Sequence, residues 1–242
     1  MTNQIDIRSS VELPAIREEI TLTTSDGLQL VGELALPQGR PPVATLVTLH
    51  PLPTHGGFMD SHILRKAANR LPELADIAVL RFNTRGTTSP RGTSQGVFGE
   101  GVTEQHDLEA AVAFAQSRQL PNLWLVGWSF GTELALKYGA NQPVVGAILL
   151  SPPLHRTSDA ELASWIGSSK TLAALVPEHD DYLKPEEAAK RFSMLPNLKL
   201  IGVEGAKHLW VGEVATTRVL NEIVELVNPG KSPLPTVWPS QG

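Results

Sequence analysis

Short apolar runs alternate along the chain with segments whose apolar residues recur at helical spacing. The runs are rich in branched aliphatic residues and have the length of buried strands; they cover residues 44–50, 77–82, 123–127, 144–150, 171–176 and 198–203. The helical spacing predicts helices over residues 60–74, 103–116, 130–138, 185–194 and 211–227. This alternation predicts an α/β fold, in which helices cover both faces of a mostly parallel, twisted sheet.

Both ends of the chain depart from this alternation. Residues 16–24 and 28–36 flank a Ser-Asp-Gly turn, which predicts an antiparallel hairpin on the N-terminal side of the sheet. Residues 228–242 contain four prolines and predict an extended surface tail, in which Trp238 either docks on the body or stays loose. We therefore expect one domain over residues 1–227, followed by this tail.

Composition narrows the classes of partner. A net charge of −5, with basic residues clustered only as pairs, argues against a nucleic-acid partner. The absence of cysteine excludes disulfides, thiolate metal sites and a cysteine nucleophile. The N-terminal residues have no signal-peptide core, and no run is long enough to cross a membrane. We expect a cytoplasmic protein, monomeric or homodimeric, that acts on a small molecule.

The strongest chemical signal is the sequence Gly127-Trp128-Ser129-Phe130-Gly131. It lies between a predicted strand and a predicted helix, which is the context that the G-x-S-x-G nucleophile elbow requires. The tight turn lifts the serine hydroxyl above the end of the sheet, and the two glycines leave room for that turn. The helix that follows points its N–H groups and positive dipole end toward a developing oxyanion. We therefore predict Ser129 as the nucleophile.

A serine nucleophile needs a base and an orienting acid. In proteins with a nucleophile elbow of this kind, the acid precedes the histidine along the chain. The loop after the strand at 171–176 offers Asp180 as first choice, Asp181 as second and Glu178 as third. The loop after the last strand leads to His208, which is placed to reach the serine. The other histidines lack compact metal-ligand spacing, so we expect neither a metal site nor a cofactor.

The backbone N–H of Phe130, directly after the nucleophile, is the first expected oxyanion donor. The second should come from the loop after the first inner strand, where Pro51 and Pro53 have no N–H to donate. Leu52 stands between these prolines and is therefore the predicted second donor.

The segment 151–170, between two predicted strands, has room for only one short helix, predicted at 159–166, and is too short for a multi-helix cap. An open, shallow site favours small or short-acyl substrates. Arg85 could meet an anionic substrate group, but an arginine in such a loop more often holds the loop itself by hydrogen bonds. His155 could line the cleft. Aromatic candidates for an apolar pocket, each of which could instead belong to the core, are Trp128, Trp165, Trp210 and Phe58.

Three ordered motifs resemble those of small, lidless bacterial α/β-hydrolases related to the dienelactone-hydrolase branch. They are His50-Pro51-x-Pro53-x-x-Gly56-Gly57-x-Met59-Asp60, Leu80-Arg81-Phe82-Asn83-x-Arg85-Gly86 and the nucleophile elbow. The resemblance covers about residues 18–227 and implies the α/β-hydrolase fold without a large cap, with Asp180 and His208 as acid and base. There are two departures. Dienelactone hydrolases proper use a cysteine nucleophile, and Pro177 replaces the usual glycine before the acid, with His179 beside that acid.

The resemblance implies hydrolysis of a small ester-type substrate through an acyl-enzyme intermediate. A peptidase or an acyltransferase on the same scaffold would use the same acyl-enzyme chemistry, so the three catalytic candidates do not separate these alternatives. A non-catalytic binding protein on a retired hydrolase fold is a third alternative. The presence of all three catalytic candidates argues against it.

Overall fold

The computed structural model describes residues 4–8 and 10–239. Its strands are β1 (Gln4–Asp6), β2 (Ile16–Thr23), β3 (Gln29–Leu36), β4 (Ala44–Leu49), β5 (Ile77–Phe82), β6 (Thr88–Ser89), β7 (Gly92–Thr93), β8 (Leu123–Trp128), β9 (Gly146–Leu150), β10 (Thr171–His179), β11 (Leu198–Lys207) and β12 (Val237–Pro239). Its α-helices are α1 (His62–Ala75), α2 (Gln105–Ser117), α3 (Phe130–Tyr138), α4 (Asp159–Ala163), α5 (Pro185–Arg191) and α6 (Glu213–Val227).

A sheet of eight strands forms the centre of the molecule, in the order β11-β10-β9-β8-β4-β5-β3-β2. The six strands from β11 to β5 in this order run parallel to one another. β2 and β3 form an antiparallel hairpin, and β3 joins the sheet antiparallel to β5. The mostly parallel sheet and its antiparallel N-terminal hairpin are therefore confirmed.

Helices pack on both faces of this sheet. One apolar layer contains Leu108 of α2, Leu134 of α3 and Ala188 of α5. The opposite layer contains Ile63 of α1 and Val219 of α6. The inner strands β4, β5, β8 and β9 are buried along their whole length, which explains why they appear in the sequence as continuous apolar runs.

The two strands at the C-terminal edge of the sheet are longer than predicted. β10 and β11 continue past the apolar runs at 171–176 and 198–203, with an irregular register between Pro177 and His179. Hydrophobic periodicity missed these extensions because their last residues are largely polar and exposed. The longer strands end directly before Asp180 and His208, so both side chains leave the same edge of the sheet.

The described part of the C-terminal segment packs on the body. After a 3₁₀ turn at Pro229–Lys231, β12 pairs antiparallel with β1, and Ile5 lies opposite Trp238. Leu234 is buried, and Trp238 packs against the layer formed by α1 and α6. Of the two alternatives for Trp238, the docked position is therefore the observed one. Residues 240–242 of the predicted tail lie outside the described residues. None of the described helices has the length and apolarity of a membrane span.

Candidate active site

Ser129 occupies a sharp turn between the end of β8 and the start of α3. Its backbone has φ 53° and ψ −118°, a conformation that is costly for any residue with a side chain. The flanking glycines are required for steric reasons. A Cβ on Gly127 would overlap with the Gly131 carbonyl, and a Cβ on Gly131 would overlap with the Leu49 carbonyl of the neighbouring strand β4. The turn therefore has the close backbone packing that the motif predicts.

The side chains of Ser129, His208 and Asp180 form one chain of hydrogen bonds. His208 Nε2 lies 2.9 Å from Ser129 Oγ. His208 Nδ1 lies 2.9 Å from Asp180 Oδ2 and 3.1 Å from Asp180 Oδ1. The three residues directly follow β8, β11 and β10, whose carboxyl ends meet at one edge of the sheet. The structure thus brings together the three residues that the sequence proposed as nucleophile, base and acid.

The three acidic candidates at the end of β10 have different surroundings. Asp180 is buried and contacts His208, whereas Asp181 is exposed. Glu178 is also exposed, and its carboxylate accepts a hydrogen bond from the backbone N–H of Gly205. The structure therefore brings Asp180, the first choice of the sequence, into contact with His208.

The environment of Asp180 favours its charged form. Burial alone would raise the pKa of Asp180, but the hydrogen bond with His208 and the backbone N–H groups of Tyr182 and Leu183 lower it below the ordinary value. The Tyr182 ring also lies edge-to-face against the His208 ring, with centroids 4.6 Å apart. A charged acid beside an enclosed imidazole can stabilise the imidazolium form.

The backbone of His208 is held by two further side chains. Its carbonyl accepts hydrogen bonds from Trp128 Nε1 at 3.2 Å and from Ser151 Oγ at 3.1 Å. Ser151 follows β9 directly and has a positive φ of 51°. Sequence reasoning gave Ser151 no role, because one serine after a strand matches no motif. These bonds connect the loop that carries His208 to the elbow and to the end of β9.

The two residues predicted as oxyanion donors, Leu52 and Phe130, line one cleft together with Ser129. Phe130 is the first residue of α3, so its N–H has no acceptor within the helix. The N–H of Leu52 has no backbone acceptor within the described part of the chain. N–H groups that have no backbone acceptor are available to bind a developing oxyanion.

A cleft of about 140 Å³ opens beside Ser129. Its apolar wall is formed by Pro51, Leu52, Phe130, Pro153 and Leu209. Its polar wall is formed by His55, Glu133, His155, Arg156 and Tyr182. The segment between β9 and β10 contains only the five-residue helix α4. The residues of this segment that precede α4 supply part of both walls. His155 therefore lines the cleft, a position that the sequence allowed.

The aromatic side chains proposed for the pocket lie elsewhere, and that prediction is wrong. Trp128, Trp165, Trp210 and Phe58 are all missing from the lining of the cleft. The three tryptophans are buried in the apolar layers between sheet and helices, where Trp165 Nε1 donates to the Leu136 carbonyl at 2.8 Å. Large aromatic side chains gain most from burial, and the layers next to the elbow offer more of it than an open cleft does.

A buried acid stabilises the polar wall of the cleft. Glu133 on α3 is fully buried, and one of its carboxylate oxygens accepts the backbone N–H of Arg156. The other oxygen lies 3.6 Å from the Arg156 guanidinium. Burial raises the pKa of Glu133, although the N–H of Arg156 opposes that shift. The pair holds the loop after β9 against α3, and no sequence pattern predicted it because Glu133 resembles an ordinary helix residue.

Arg85 holds its own loop, as the sequence favoured. Its backbone N–H and its guanidinium donate to Asp107 at 2.8–2.9 Å. The guanidinium also donates to Asp26 at 2.9 and 3.1 Å. Arg85 does not line the cleft, so its contacts give it a structural role.

The remaining histidines have separate partners. His106 Nδ1 lies 2.8 Å from Ser25 Oγ, and His62 Nε2 lies 3.1 Å from the Trp210 carbonyl. Within residues 4–8 and 10–239, no group of three His, Asp or Glu side chains is arranged to hold a metal ion.

Comparison with known proteins shows which family the chain belongs to. A model of the alpha/beta hydrolase family matches residues 46–220, and the chain therefore belongs to that family. The match is to the family as a whole and does not single out the dienelactone-hydrolase branch. The protein is thus a hydrolase with the α/β-hydrolase fold. No curated protein matches the sequence significantly.

Several solved structures have the same fold. XC6422 from Xanthomonas campestris, described as a member of the a/b serine hydrolases without lid, is 25% identical, with 93% of this chain and 99% of that chain aligned and a TM-score of 0.74. An alpha-beta serine hydrolase homologue from Coxiella burnetii is 24% identical, with coverages of 87% and 97% and a TM-score of 0.72. The esterase Pf2001 from Pyrococcus furiosus is 19% identical, with coverages of 88% and 93% and a TM-score of 0.70. The last two similarities concern the fold alone.

Proposed function

We propose that the protein is a serine hydrolase that cleaves small ester-type substrates through an acyl-enzyme intermediate. The observation that carries this proposal is the unbroken hydrogen-bond chain from Ser129 Oγ through His208 to Asp180. A serine hydroxyl becomes a good nucleophile only when a base accepts its proton. His208 is within hydrogen-bond distance of that proton, and Asp180 holds the Nδ1–H tautomer that leaves Nε2 free to accept it.

In the first half of the reaction, Ser129 Oγ attacks the ester carbonyl carbon while its proton passes to His208 Nε2. The negative charge moves to the carbonyl oxygen, where the N–H groups of Leu52 and Phe130 bind it. The intermediate then loses the ester C–O bond, and His208 returns the proton to the departing alcohol. The acyl group is left bonded to Ser129.

Water completes the cycle. His208 Nε2 accepts a proton from a water molecule, whose oxygen attacks the acyl carbon. The second tetrahedral intermediate collapses with cleavage of the bond to Ser129 Oγ, which regains the proton from His208. The carboxylic acid product leaves, and the free enzyme is restored.

The cleft supports a small substrate. Its volume of about 140 Å³ is below the usual range for sites that enclose drug-sized ligands, roughly 300–1,000 Å³. The mixed apolar and polar walls suit a short acyl chain. We therefore expect turnover of p-nitrophenyl esters to decrease as the acyl chain lengthens from acetate to decanoate.

The test compares the wild-type protein with Ser129→Ala and with the matched control Ser164→Ala, which changes an exposed serine after α4. We expect kcat on p-nitrophenyl acetate to fall by about 10⁵- to 10⁶-fold in Ser129→Ala and to stay unchanged in the control. Equal turnover in all three proteins would refute the assignment of the nucleophile.

Amide and thioester substrates distinguish the other acyl-transfer activities. If aminoacyl amides or thioesters are turned over faster than esters, and Ser129→Ala is inactive on all of them, the same nucleophile serves a peptidase or an acyltransferase. Absence of any turnover and of any covalent labelling would favour a binding protein.

A further inference from the structure

His50 is a fully buried imidazole that the mechanism above does not use. It follows β4 directly and stands at the base of the loop that carries Leu52. Its Nε2 accepts the backbone N–H of Thr84 at 3.0 Å, and its Nδ1 lies 2.7 Å from the Pro51 carbonyl oxygen. A backbone N–H can only donate, so Nε2 is the acceptor and the ring proton must lie on Nδ1. His50 therefore donates to the Pro51 carbonyl.

Burial keeps this imidazole neutral. It lowers the pKa of His50 to about 4, although the hydrogen bond to the Pro51 carbonyl opposes the shift. A neutral imidazole is a donor at one nitrogen and an acceptor at the other. This is the combination that the contacts with Thr84 and Pro51 require.

The Pro51 carbonyl and the Leu52 N–H belong to one peptide group. In a trans peptide these two groups point in opposite directions, so fixing the carbonyl toward His50 turns the N–H away from His50. The Leu52 carbonyl is also fixed, since it accepts the N–H groups of His55 and Gly57 at 3.0 Å each. A Cβ on Gly57 would overlap with the Pro51 carbonyl, so the loop closes tightly around this peptide. Within residues 4–8 and 10–239, the Leu52 N–H has no backbone acceptor.

We propose that His50 is a positioning residue for the oxyanion hole: its Nδ1–H fixes the Pro51–Leu52 peptide so that the Leu52 N–H faces the cleft beside Ser129. The inference rests on the proposed hydrolase function. Without this hydrogen bond the peptide can rotate, and a rotated peptide would present a carbonyl oxygen to the developing negative charge. His50 therefore acts on the transition state and leaves binding of the ground-state ester unaffected.

Two substitutions separate this role from a general role in holding the loop. In His50→Asn the amide nitrogen can take the place of Nδ1, so the donor to the Pro51 carbonyl is kept. In His50→Gln the amide reaches the position of Nε2, so the partner of Thr84 is kept and the donor to Pro51 is lost. Complete removal of one oxyanion donor costs about 10²- to 10³-fold in kcat. We expect a loss of about 10- to 100-fold in His50→Gln and at most a few-fold in His50→Asn, with KM unchanged in both.

The experiment measures kcat and KM on p-nitrophenyl acetate, thermal unfolding, and the inhibition constant of a trifluoromethyl ketone, whose hemiketal adduct carries an oxyanion. In His50→Gln this inhibition constant should rise by about the same factor as kcat falls. Equal losses in the Asn and Gln variants, or a loss confined to KM or to the unfolding temperature, would overturn the positioning role. If the wild-type protein turns over no substrate, the proposed function has failed and the His50 variants are not the cause.

A measurement on the wild-type protein covers the case in which His50→Gln does not fold. Long-range ¹H–¹⁵N spectra of the imidazole distinguish the two neutral tautomers. The proposal requires that His50 carries its proton on Nδ1 at neutral pH. A proton on Nε2, or a doubly protonated ring, would contradict it.

Discussion

Two polar clusters in this molecule, each built around a buried carboxylate, use similar interactions for different purposes. The catalytic cluster consists of Ser129, His208 and Asp180, and the arginine cluster consists of Arg85 with its acidic partners Asp107 and Asp26. Each contains a carboxylate that binds a nitrogen donor at 2.8–2.9 Å. In the arginine cluster every guanidinium nitrogen donates to a carboxylate. The catalytic cluster instead opens onto a cleft, which is also lined by Leu52 and Phe130, whose N–H groups have no backbone acceptor among the residues that the structure describes.

The difference shows how to tell a functional polar site from a structural one. Buried polar groups are normally fully hydrogen-bonded, and the arginine cluster meets that rule. The cleft beside the catalytic cluster has N–H groups that remain available to a substrate. Ser129 also has a strained backbone, with φ 53°. Substitutions in the catalytic cluster should therefore change activity, and substitutions in the arginine cluster should change stability.

After the loss expected for Ser129→Ala, the largest effect is expected from the acid of the catalytic cluster. Asp180→Asn should lower kcat by about 10⁴-fold, because an asparagine favours the wrong tautomer of the base and cannot stabilise its charged form. Asp181→Asn, one residue along the chain, serves as the matched control and should leave kcat within about two-fold, since Asp181 is exposed. Steady-state kinetics on p-nitrophenyl acetate decide the matter, and a larger loss in the Asp181 variant would reverse the assignment.

The arginine cluster should respond in stability. Arg85→Met leaves the fully buried Asp107 without its partner and should lower the free energy of unfolding by about 3–5 kcal/mol. The control Arg118→Met removes an exposed pair with Glu18 and should cost less than about 1 kcal/mol. Urea denaturation gives both values. A folded Arg85→Met protein that has lost kcat, rather than stability, would show that Arg85 belongs to the active site.

A smaller effect should follow from loosening the backbone of the base. Ser151→Ala removes one of the two donors to the His208 carbonyl and leaves Trp128 in place. We expect a loss of stability of about 1 kcal/mol and a several-fold decrease in kcat. Ser117→Ala, which removes a similar side-chain bond at the exposed end of α2, should not change kcat. Equal kcat in both variants would mean that Trp128 alone fixes the loop.

The smallest effect concerns acid stability. The folded protein lowers the pKa of Asp180, so ionisation of Asp180 stabilises the fold above its ordinary pKa, near 3.8. That contribution is lost as the pH falls through the lowered value. The difference in unfolding temperature between wild type and Asp180→Asn should therefore shift against the wild type as the pH falls from about 6 to about 3. A difference that moves the other way would contradict the direction of the pKa shift.

The elbow could be predicted from the sequence because its determinants are local. The determinants are Ser129, its two flanking glycines, the apolar run before them and the helix after them, which are close together in the sequence. The glycines are required for steric reasons, so the residue types themselves indicate the turn. The parallel sheet was predictable for the same reason, since the buried strands are continuous apolar runs.

Other parts depend on contacts that sequence patterns do not encode. Whether Asp180 or Asp181 meets the base is decided by how the end of β10 is turned, because neighbouring side chains point in different directions. The residues that line the cleft come from separate loops, so no single sequence motif indicated that Arg156 and Tyr182 line the same cleft. The tryptophans were misassigned because their positions along the chain do not say on which side of the sheet a large side chain is buried.

The most direct test of the central claim is to find the residue that becomes covalently modified. A fluorophosphonate probe loses fluoride to an activated serine oxygen, and intact-mass measurement followed by peptide mapping locates the adduct. We predict one adduct per chain, on Ser129, that is absent in Ser129→Ala and forms much more slowly in His208→Ala. Labelling at another residue, or labelling that persists in Ser129→Ala, would contradict the account.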